Sequence, residues 1–434
     1  MNELKGDLPE DFKMTELGPL PEKWKVTRLG DVIEELKEKN KSNMDLKVFT
    51  VSNMEGFVPS DRFFGKRVHS KDTDNYKIVR QGYFAYNPYR INVGSIGLFK
   101  ETIGLVSPAY VVFKVKRTDC LHPEFLFRLL KSPFYMSEIQ RIAMSRGSVR
   151  RSLSYRDLSD FKIPLPPLPE QEKIAAVLSA IQEAKEKTEA VISATRDLKK
   201  SMMSYLFTYG PVPLPEAESV PLKETEIGMI PEEWEVVNFS EIGKFQYGYT
   251  ESGSTVKIGP RFLRITDIDL ARGNINWSSV PYCKISDVDY PKYELYEGDV
   301  LIARIGATTG KTCIIKNPPK SVFASYLIRF IYDKEKVDSF FIYYFTNSQE
   351  YWVQVNASKE GKLKKGVSSS QLKNFKAPLP PLPMQQKIAS ILSAIDQKIE
   401  AEEDKKKALE DLFQTLLHNL MTAKIRVNNL EVGV

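Results

Sequence analysis

An internal repeat constrains this chain more than any other feature of its sequence. Residues 161–181 read FKIPLPPLPEQEKIAAVLSAI and residues 375–395 read FKAPLPPLPMQQKIASILSAI, 214 positions apart, and 16 of the 21 positions are identical. Earlier in each half, residues 15–32 read TELGPLPEKWKVTRLGDV and residues 225–242 read TEIGMIPEEWEVVNFSEI. We name these pairs the hinge motifs and the tryptophan motifs. The chain is therefore two copies of one unit, with similar ends and different middles.

A heptad pattern follows each hinge motif and predicts a long helix in both halves. In the first helix one line of residues, seven apart, runs from Ile174 to Met202, and a second line, three residues on, starts at Val177. A helix of roughly 35–40 residues with one apolar stripe needs a partner, so we expect the two helices to pair. The residues expected to pack are Ile174, Val177, Ile181, Val191, Leu198 and Met202 in the first helix and Ile388, Ile391, Ile395, Leu409, Leu412 and Leu416 in the second. Packing of each helix on its own domain, or self-association of the chain, is the alternative.

These patterns predict a mixed α/β (α+β) fold. We expect two globular domains separated by an antiparallel pair of long coiled-coil helices, with an internal pseudo-twofold repeat. Strand-like runs at 300–305 and 326–332 alternate with helical spacing at 123–141 and 337–355. The expected parts are domain 1 at residues 1–163, hinge and helix at 164–210, domain 2 at 211–377, and hinge, helix and tail at 378–434.

Composition excludes several classes of protein. The 434 residues contain 62 Lys and Arg against 56 Asp and Glu, a net charge of +6, which permits a nucleic-acid partner without arguing for one. Three scattered cysteines make a disulfide scaffold or a zinc site improbable and favour a reducing, cytoplasmic compartment. The polar first residues are unlike a signal peptide, and the sequence predicts no membrane span.

One stretch resembles a nucleotide-binding loop. Residues 306–312 read GATTGKT, with three residues between the glycines where that loop has four. We interpret it as a glycine turn between two strands; an enzyme that uses this segment is an alternative. The sequence offers no credible catalytic set, so we expect a chain that binds rather than reacts, with no cofactor and no metal.

Two basic segments stand at equivalent places, just before the hinge motifs. Residues 141–156 contain five arginines and no acid, and residues 359–376 contain six lysines against one glutamate, so each segment is net +5. Their glycines and serines predict loops suited to phosphate contacts, and arginine can also reach guanine edges. The candidate DNA contacts are Arg90, Arg146, Arg150, Arg151 and Arg156 in the first half and Arg304, Lys311, Lys362, Lys364 and Lys365 in the second.

The paired tryptophan motifs, paired hinge motifs and heptad helices resemble the specificity (S) subunits of type I restriction–modification systems over nearly the whole chain. The resemblance implies two target-recognition domains, each reading one half of a bipartite site on double-stranded DNA. It implies helices that set the spacing and dock two DNA methyltransferase (M) subunits, with restriction (R) subunits joining the complex. The chain itself would be non-catalytic. Because the two bodies differ, we expect the site to be asymmetric.

Two other classes of protein stay open at this point. One is the recognition subunit of a related type II restriction–modification system. The other is a coiled-coil adaptor that binds no DNA.

Overall fold

The structure is a computed structural model, and it divides the chain into two units. It describes residues 10–53, 56–66, 69–70, 72–145, 152–269, 273–359 and 366–427. Unit 1 comprises Met1–Thr188 and Lys405–Val434, and unit 2 comprises Glu189–Asp404. Because both boundaries fall inside the long helices, each unit contains a part of each helix.

The first half of the chain contains twelve strands and five helices within the described residues. The strands are β1 (Phe12–Thr15), β2 (Gly18–Pro21), β3 (Lys25–Arg28), β4 (Ile33–Leu36), β5 (Val48–Ser52), β6 (Gly56–Pro59), β7 (Lys77–Arg80), β8 (Phe84–Tyr86), β9 (Ile96–Leu98), β10 (Ile103–Val106), β11 (Val111–Val115) and β12 (Lys162–Leu165). The helices are α1 (Ser60–Phe64), α2 (Pro123–Leu130), α3 (Pro133–Ser145), α4 (Tyr155–Ser159) and α5 (Leu168–Tyr209), with 3-10 turns at Leu29–Asp31 and Ile91–Val93.

The second half repeats this order with shorter strands in its middle. The strands are β13 (Leu222–Thr225), β14 (Gly228–Pro231), β15 (Glu235–Asn238), β16 (Gly243–Tyr247), β17 (Arg261–Leu263), β18 (Ile268–Asp269), β19 (Asn274–Ile275), β20 (Val300–Ala303), β21 (Thr312–Ile314), β22 (Ser321–Phe323), β23 (Leu327–Tyr332) and β24 (Lys376–Leu379). The helices are α6 (Phe239–Ile242), α7 (Tyr290–Tyr293), α8 (Ser339–Phe345), α9 (Gln349–Lys359), α10 (Ser369–Leu372) and α11 (Leu382–Met421), with 3-10 turns at Leu214–Ser219, Ile265–Asp267 and Gly306–Thr308.

Sheet topology separates a repeated frame from a variable middle. Unit 1 has an antiparallel sheet of order β4-β11-β8-β9, and unit 2 has its equivalent, β16-β23-β20-β21. The second sheet differs: unit 1 has four strands, β6-β5-β10-β7, whereas the described residues of unit 2 form the parallel pair β17-β22 and a small β18-β19 pair. The mixed α/β class and the repeat are therefore present, and the divergence between the halves lies in the middle of each body.

The glutamine that both hinge motifs share explains why this motif is repeated. Gln171 is fully buried; its Oε1 accepts from the backbone N–H of His122 at 2.9 Å, and its Nε2 donates to the carbonyls of Cys120 and Pro166. Gln385 does the same in unit 2, accepting from Asp338 N–H at 2.9 Å. Each glutamine thus satisfies buried backbone groups and fixes the start of a long helix to the body of its unit.

The tryptophan of each tryptophan motif is also fully buried, but its surroundings differ. In unit 1 the Nε1 of Trp24 donates to Glu170 at 3.0 Å, and the same carboxylate accepts from Arg426 at 2.8 Å. In unit 2, Met384 stands at the place of Glu170. The Nε1 of Trp234 is buried and has no hydrogen-bond partner among the described residues.

The helix α5 has 42 residues, slightly more than expected, and α11 has 40, within the expected length. The buried stripe of the helices is partly displaced from the expected one. Val191, Leu198 and Leu412 are 40%, 51% and 45% exposed, so the expectation that these three pack is wrong. In α5 the second buried line of residues starts four positions after the first, at Leu178, and continues through Ile192. The expected second line starts three positions after the first. Lines three and four residues on both lie on the same side of a helix with 3.6 residues per turn, so the partner surface decides which of them is buried. The other residues expected to pack are buried or partly buried: Ile174, Val177, Ile181, Met202, Ile388, Ile391, Ile395, Leu409 and Leu416.

Charged side chains join α5 and α11 within each unit. In unit 1, Lys185 pairs with Glu410 at 3.7 Å. In unit 2, Lys199 pairs with Asp396 at 2.6 Å, and Arg196 pairs with Glu403.

Candidate nucleic-acid interface

The glycine stretch of unit 2 is a turn between two neighbouring strands. The backbone N–H of Ala303, at the end of β20, donates to the carbonyl of Lys311, just before β21, and Gly310 N–H donates back to Ala303. Gly310 has a φ of +89°, and a Cβ there would lie 2.5 Å from Val355, so only glycine fits. No helix follows this turn, which agrees with a glycine turn and disagrees with a nucleotide-binding loop.

In both units the C-terminal part of the basic segment is tied to the chain that leaves an equivalent strand, β8 in unit 1 and β20 in unit 2. In unit 2 the N–H of Val367 donates to the carbonyl of Arg304 at 2.9 Å, and in unit 1 the N–H of Leu153 donates to the carbonyl of Pro88 at 3.1 Å. Capping boxes at Ser154 and Ser368 then begin α4 and α10. The repeat therefore holds the same two chain segments side by side in each unit.

Arg304 lies on an exposed aromatic surface in unit 2. Its guanidinium carbon is 4.7 Å from the ring centre of Tyr247, a cation–π distance. Its Nη1 reaches the Ser325 carbonyl at 3.5 Å, and its buried Nε has no hydrogen-bond partner among the described residues. Beside it Ile305 and Tyr326 are 41% and 54% exposed. We name Tyr247, Arg304, Ile305 and Tyr326 the Arg304 cluster.

The ring under Arg304 is itself held in place. The hydroxyl oxygen of Tyr247 accepts from the backbone N–H of Ser369, the first residue of α10, at 3.0 Å. Burial alone would raise the pKa of Tyr247, but the hydrogen bonds from Ser369 and the charge of Arg304 outweigh it, so the pKa is lowered. The tyrosine thus links the cation to the C-terminal part of the basic segment.

Lys311 is the other candidate of unit 2 within the described residues. Its side chain is exposed, at the end of the glycine turn opposite Arg304. An exposed lysine on a turn suits a phosphate contact, which needs charge more than fixed geometry.

Unit 1 places its candidates differently. Arg90 is exposed and precedes the 3-10 turn Ile91–Val93, with the 53% exposed Tyr89 beside it. Arg156 is exposed on α4. Lys131 holds this region together, because its Nζ donates to the carbonyls of Gly94 at 2.6 Å and Asn53 at 2.9 Å. Burial, with a smaller contribution from the charge of Arg128, lowers the pKa of Lys131 to about 8.

The six remaining candidates lie outside the described residues, and their contacts stay predictions. They are Arg146, Arg150, Arg151, Lys362, Lys364 and Lys365.

Sequence reasoning missed Tyr247, Tyr326 and the supporting Lys131. Tyr247 meets Arg304 because β16 and β20 both pair with β23, which brings both residues to the same end of the sheet. Sheet register of this kind is not readable from a single sequence. The exposed aromatic residues near a basic turn were the available signal.

The described residues contain no group of three or more His, Cys, Asp or Glu side chains that could hold a metal ion. Within the same part of the chain, no helix is both long and apolar enough to cross a membrane.

The chain matches the type I restriction modification DNA specificity domain twice, over residues 21–194 and 231–411. Together these stretches cover most of the sequence, and the chain therefore belongs to this family. It is 30% identical over 345 residues to the type I restriction enzyme MjaVIII specificity subunit of Methanocaldococcus jannaschii, covering 78% of each chain. It is 28% identical over 436 residues to the putative type I restriction enzyme MjaX specificity subunit of the same organism, covering 96% of this chain and 97% of that one.

A solved structure shares the fold. The S subunit of a type I restriction–modification system from M. genitalium matches with a TM-score of 0.59 over 92% of this chain and 96% of that one, at 15% identity. At that identity the likeness concerns the fold alone.

Proposed function

We propose that this chain is the sequence-specific DNA-recognition subunit of a type I restriction–modification complex, and that each unit reads one half of an asymmetric bipartite site. One observation carries the proposal: both units hold the C-terminal part of a basic segment against the chain that leaves an equivalent strand, β8 or β20, while the middles of their bodies differ. Equivalent frames supply equivalent phosphate contacts, and different middles supply different base choices. The domain limits 1–163 and 211–377 are part of this proposal.

The long helices are proposed to pair antiparallel as a coiled coil that fixes the separation of the two half-sites. The ion pairs support this, since the partner on α11 moves back from Glu403 to Asp396 as the chain advances on α5 from Arg196 to Lys199. The apolar lines of both helices, with alternating spacings of three and four, are the pattern of such a pair.

The partners in this proposal are double-stranded DNA, two methyltransferase subunits docked on the helices, and restriction subunits that join through the complex. The names of the related specificity subunits support this set. The chain would act in the cytoplasm, select the sequence and leave the chemistry to its partners, so it needs no cofactor of its own.

The test is the methylome of the host with and without this gene. We expect one asymmetric two-part motif to lose methylation on deletion. A palindromic or continuous motif would contradict the proposal that the two units recognise different half-site sequences, and would favour the type II alternative. An unchanged methylome would favour a coiled-coil adaptor. Inserting four residues into the middle of α5 adds about 6 Å and should lengthen the gap while both half-site sequences stay the same.

A further inference from the structure

The Arg304 cluster differs from the other arginine sites of unit 2. Arg329 is buried against Asp299 at 3.0 Å, and Arg264 pairs with Asp267 at 2.8 Å, so their charges are neutralised within the fold. Arg261 lies 4.1 Å from the ring centre of Tyr282 but donates to the Val280 carbonyl. Among the described residues, the side chain of Arg304 forms no ion pair with a carboxylate, and its one hydrogen bond is the long contact to the Ser325 carbonyl.

A guanidinium in this state is prepared for an external acceptor. The guanidinium lies over the Tyr247 ring, and the hydrogen bond from Ser369 N–H holds that ring, so less side-chain freedom is left to lose on binding. A guanidinium is the group that bonds both O6 and N7 of guanine in the major groove. The neighbouring exposed Ile305 and Tyr326 offer apolar contact, such as a thymine methyl group accepts.

Unit 1 has no equivalent of this arrangement at the same place. The carbonyl that accepts from the C-terminal part of the basic segment belongs to Arg304 in unit 2 and to Pro88 in unit 1. The position equivalent to Tyr326 is Tyr110, which is buried and bonds Thr50 at 2.9 Å. The Arg304 cluster is therefore a feature of unit 2 that unit 1 does not share at the equivalent positions.

We infer that Arg304, positioned by Tyr247, reads a guanine in the half-site recognised by unit 2. This inference rests on the proposed function. It assigns Arg304 to base choice rather than to general affinity, and it makes Tyr247 a positioning residue that acts through Arg304.

The experiment compares host methylomes for wild type, Arg304→Ala, Arg304→Lys, Tyr247→Leu and Tyr247→Phe. Arg304→Ala should relax one G·C position of one half-site by roughly 5-fold to 150-fold and leave the other half-site unchanged. Arg304→Lys keeps the positive charge but lacks the paired N–H donors of the guanidinium. Methylation should therefore persist, with base choice relaxed at the same position. Tyr247→Leu should relax that position partly, and Tyr247→Phe, which keeps the ring, should relax it less.

Arg261→Ala is the matched control, because it removes another arginine of unit 2 that lies over a tyrosine ring; it should leave every base preference unchanged. The inference is overturned if neither half-site contains a G·C pair, if Arg304→Ala weakens all sites equally as a phosphate contact would, or if base choice is unaltered. Should Arg304→Ala abolish methylation by unfolding the unit, Arg304→Lys decides alone. Failure of the proposed function looks different: the wild-type gene then directs no motif.

Discussion

The two buried tryptophans occupy equivalent positions, yet within the part of the chain that the structure describes only one has a hydrogen-bond partner. In unit 1, Glu170 accepts from Trp24 and from Arg426, and so joins the tryptophan motif, the hinge motif and the segment that follows α11. In unit 2, Met384 provides no carboxylate, and the buried Nε1 of Trp234 has no partner among the described residues. The difference shows that one frame can be closed by a charged network or by apolar packing.

The largest effect should come from removing the charged network. Glu170→Met leaves the Trp24 donor without its partner and Arg426 without its carboxylate, so we expect unit 1 to lose about 2–4 kcal/mol of stability. Hydrogen–deuterium exchange should show faster exchange in unit 1 than in unit 2. Met384→Leu is the control at the equivalent position and should cost less than about 1.5 kcal/mol. Equal losses from the two substitutions would remove the contrast between the units.

A smaller effect should appear with pH at Lys131, whose equivalent in unit 2 is the neutral Asn347. Because the folded pKa of Lys131 is lowered to about 8, the folded chain releases this proton before the unfolded chain does. As the pH rises from about 8 to the ordinary lysine range, the free energy of unfolding of the wild type should therefore increase relative to that of Lys131→Met. The increase should be at most about 1.4 kcal/mol per pH unit. Urea unfolding of both proteins across this window measures the difference.

The same comparison for Asn347→Ala should be flat over that window, because asparagine does not titrate. If the stability of the wild type relative to Lys131→Met falls as the pH rises, the fold stabilises the charged ammonium group of Lys131, and the prediction is wrong.

The smallest effect should come from supplying the acceptor that unit 2 lacks. Met384→Gln places an amide oxygen at the position of Glu170 without a buried charge, and we expect a gain of about 0.5–1 kcal/mol if it accepts from Trp234. Urea unfolding measures this, with Met384→Leu again as the reference. A loss above about 1 kcal/mol would mean that apolar packing at Met384 matters more than the unsatisfied donor.

The sequence was sufficient for the frame and insufficient for the contacts. Repeated motifs predicted two similar units and two long helices, since a repeated motif such as the one around Gln171 and Gln385 reflects a repeated local structure. The predicted heptad line through Val191 and Leu198 was wrong. Lines that start three and four residues after Ile174 are adjacent on the helix surface, and only the partner surface determines which of them is buried. The Arg304 cluster was out of reach because sheet register, not spacing along the chain, brings Tyr247 to Arg304.

The division of the chain between the units has a consequence for the order in which they are completed during synthesis. Unit 2 is one uninterrupted stretch, whereas unit 1 needs residues from both ends of the described chain. A ribosome makes Glu170 long before Arg426, with which it pairs across 256 positions. All residues of unit 2 are therefore synthesised before unit 1 is complete. Unit 1, whose larger part is translated first, is completed last, which is the reverse of the usual order in which N-terminal domains fold first.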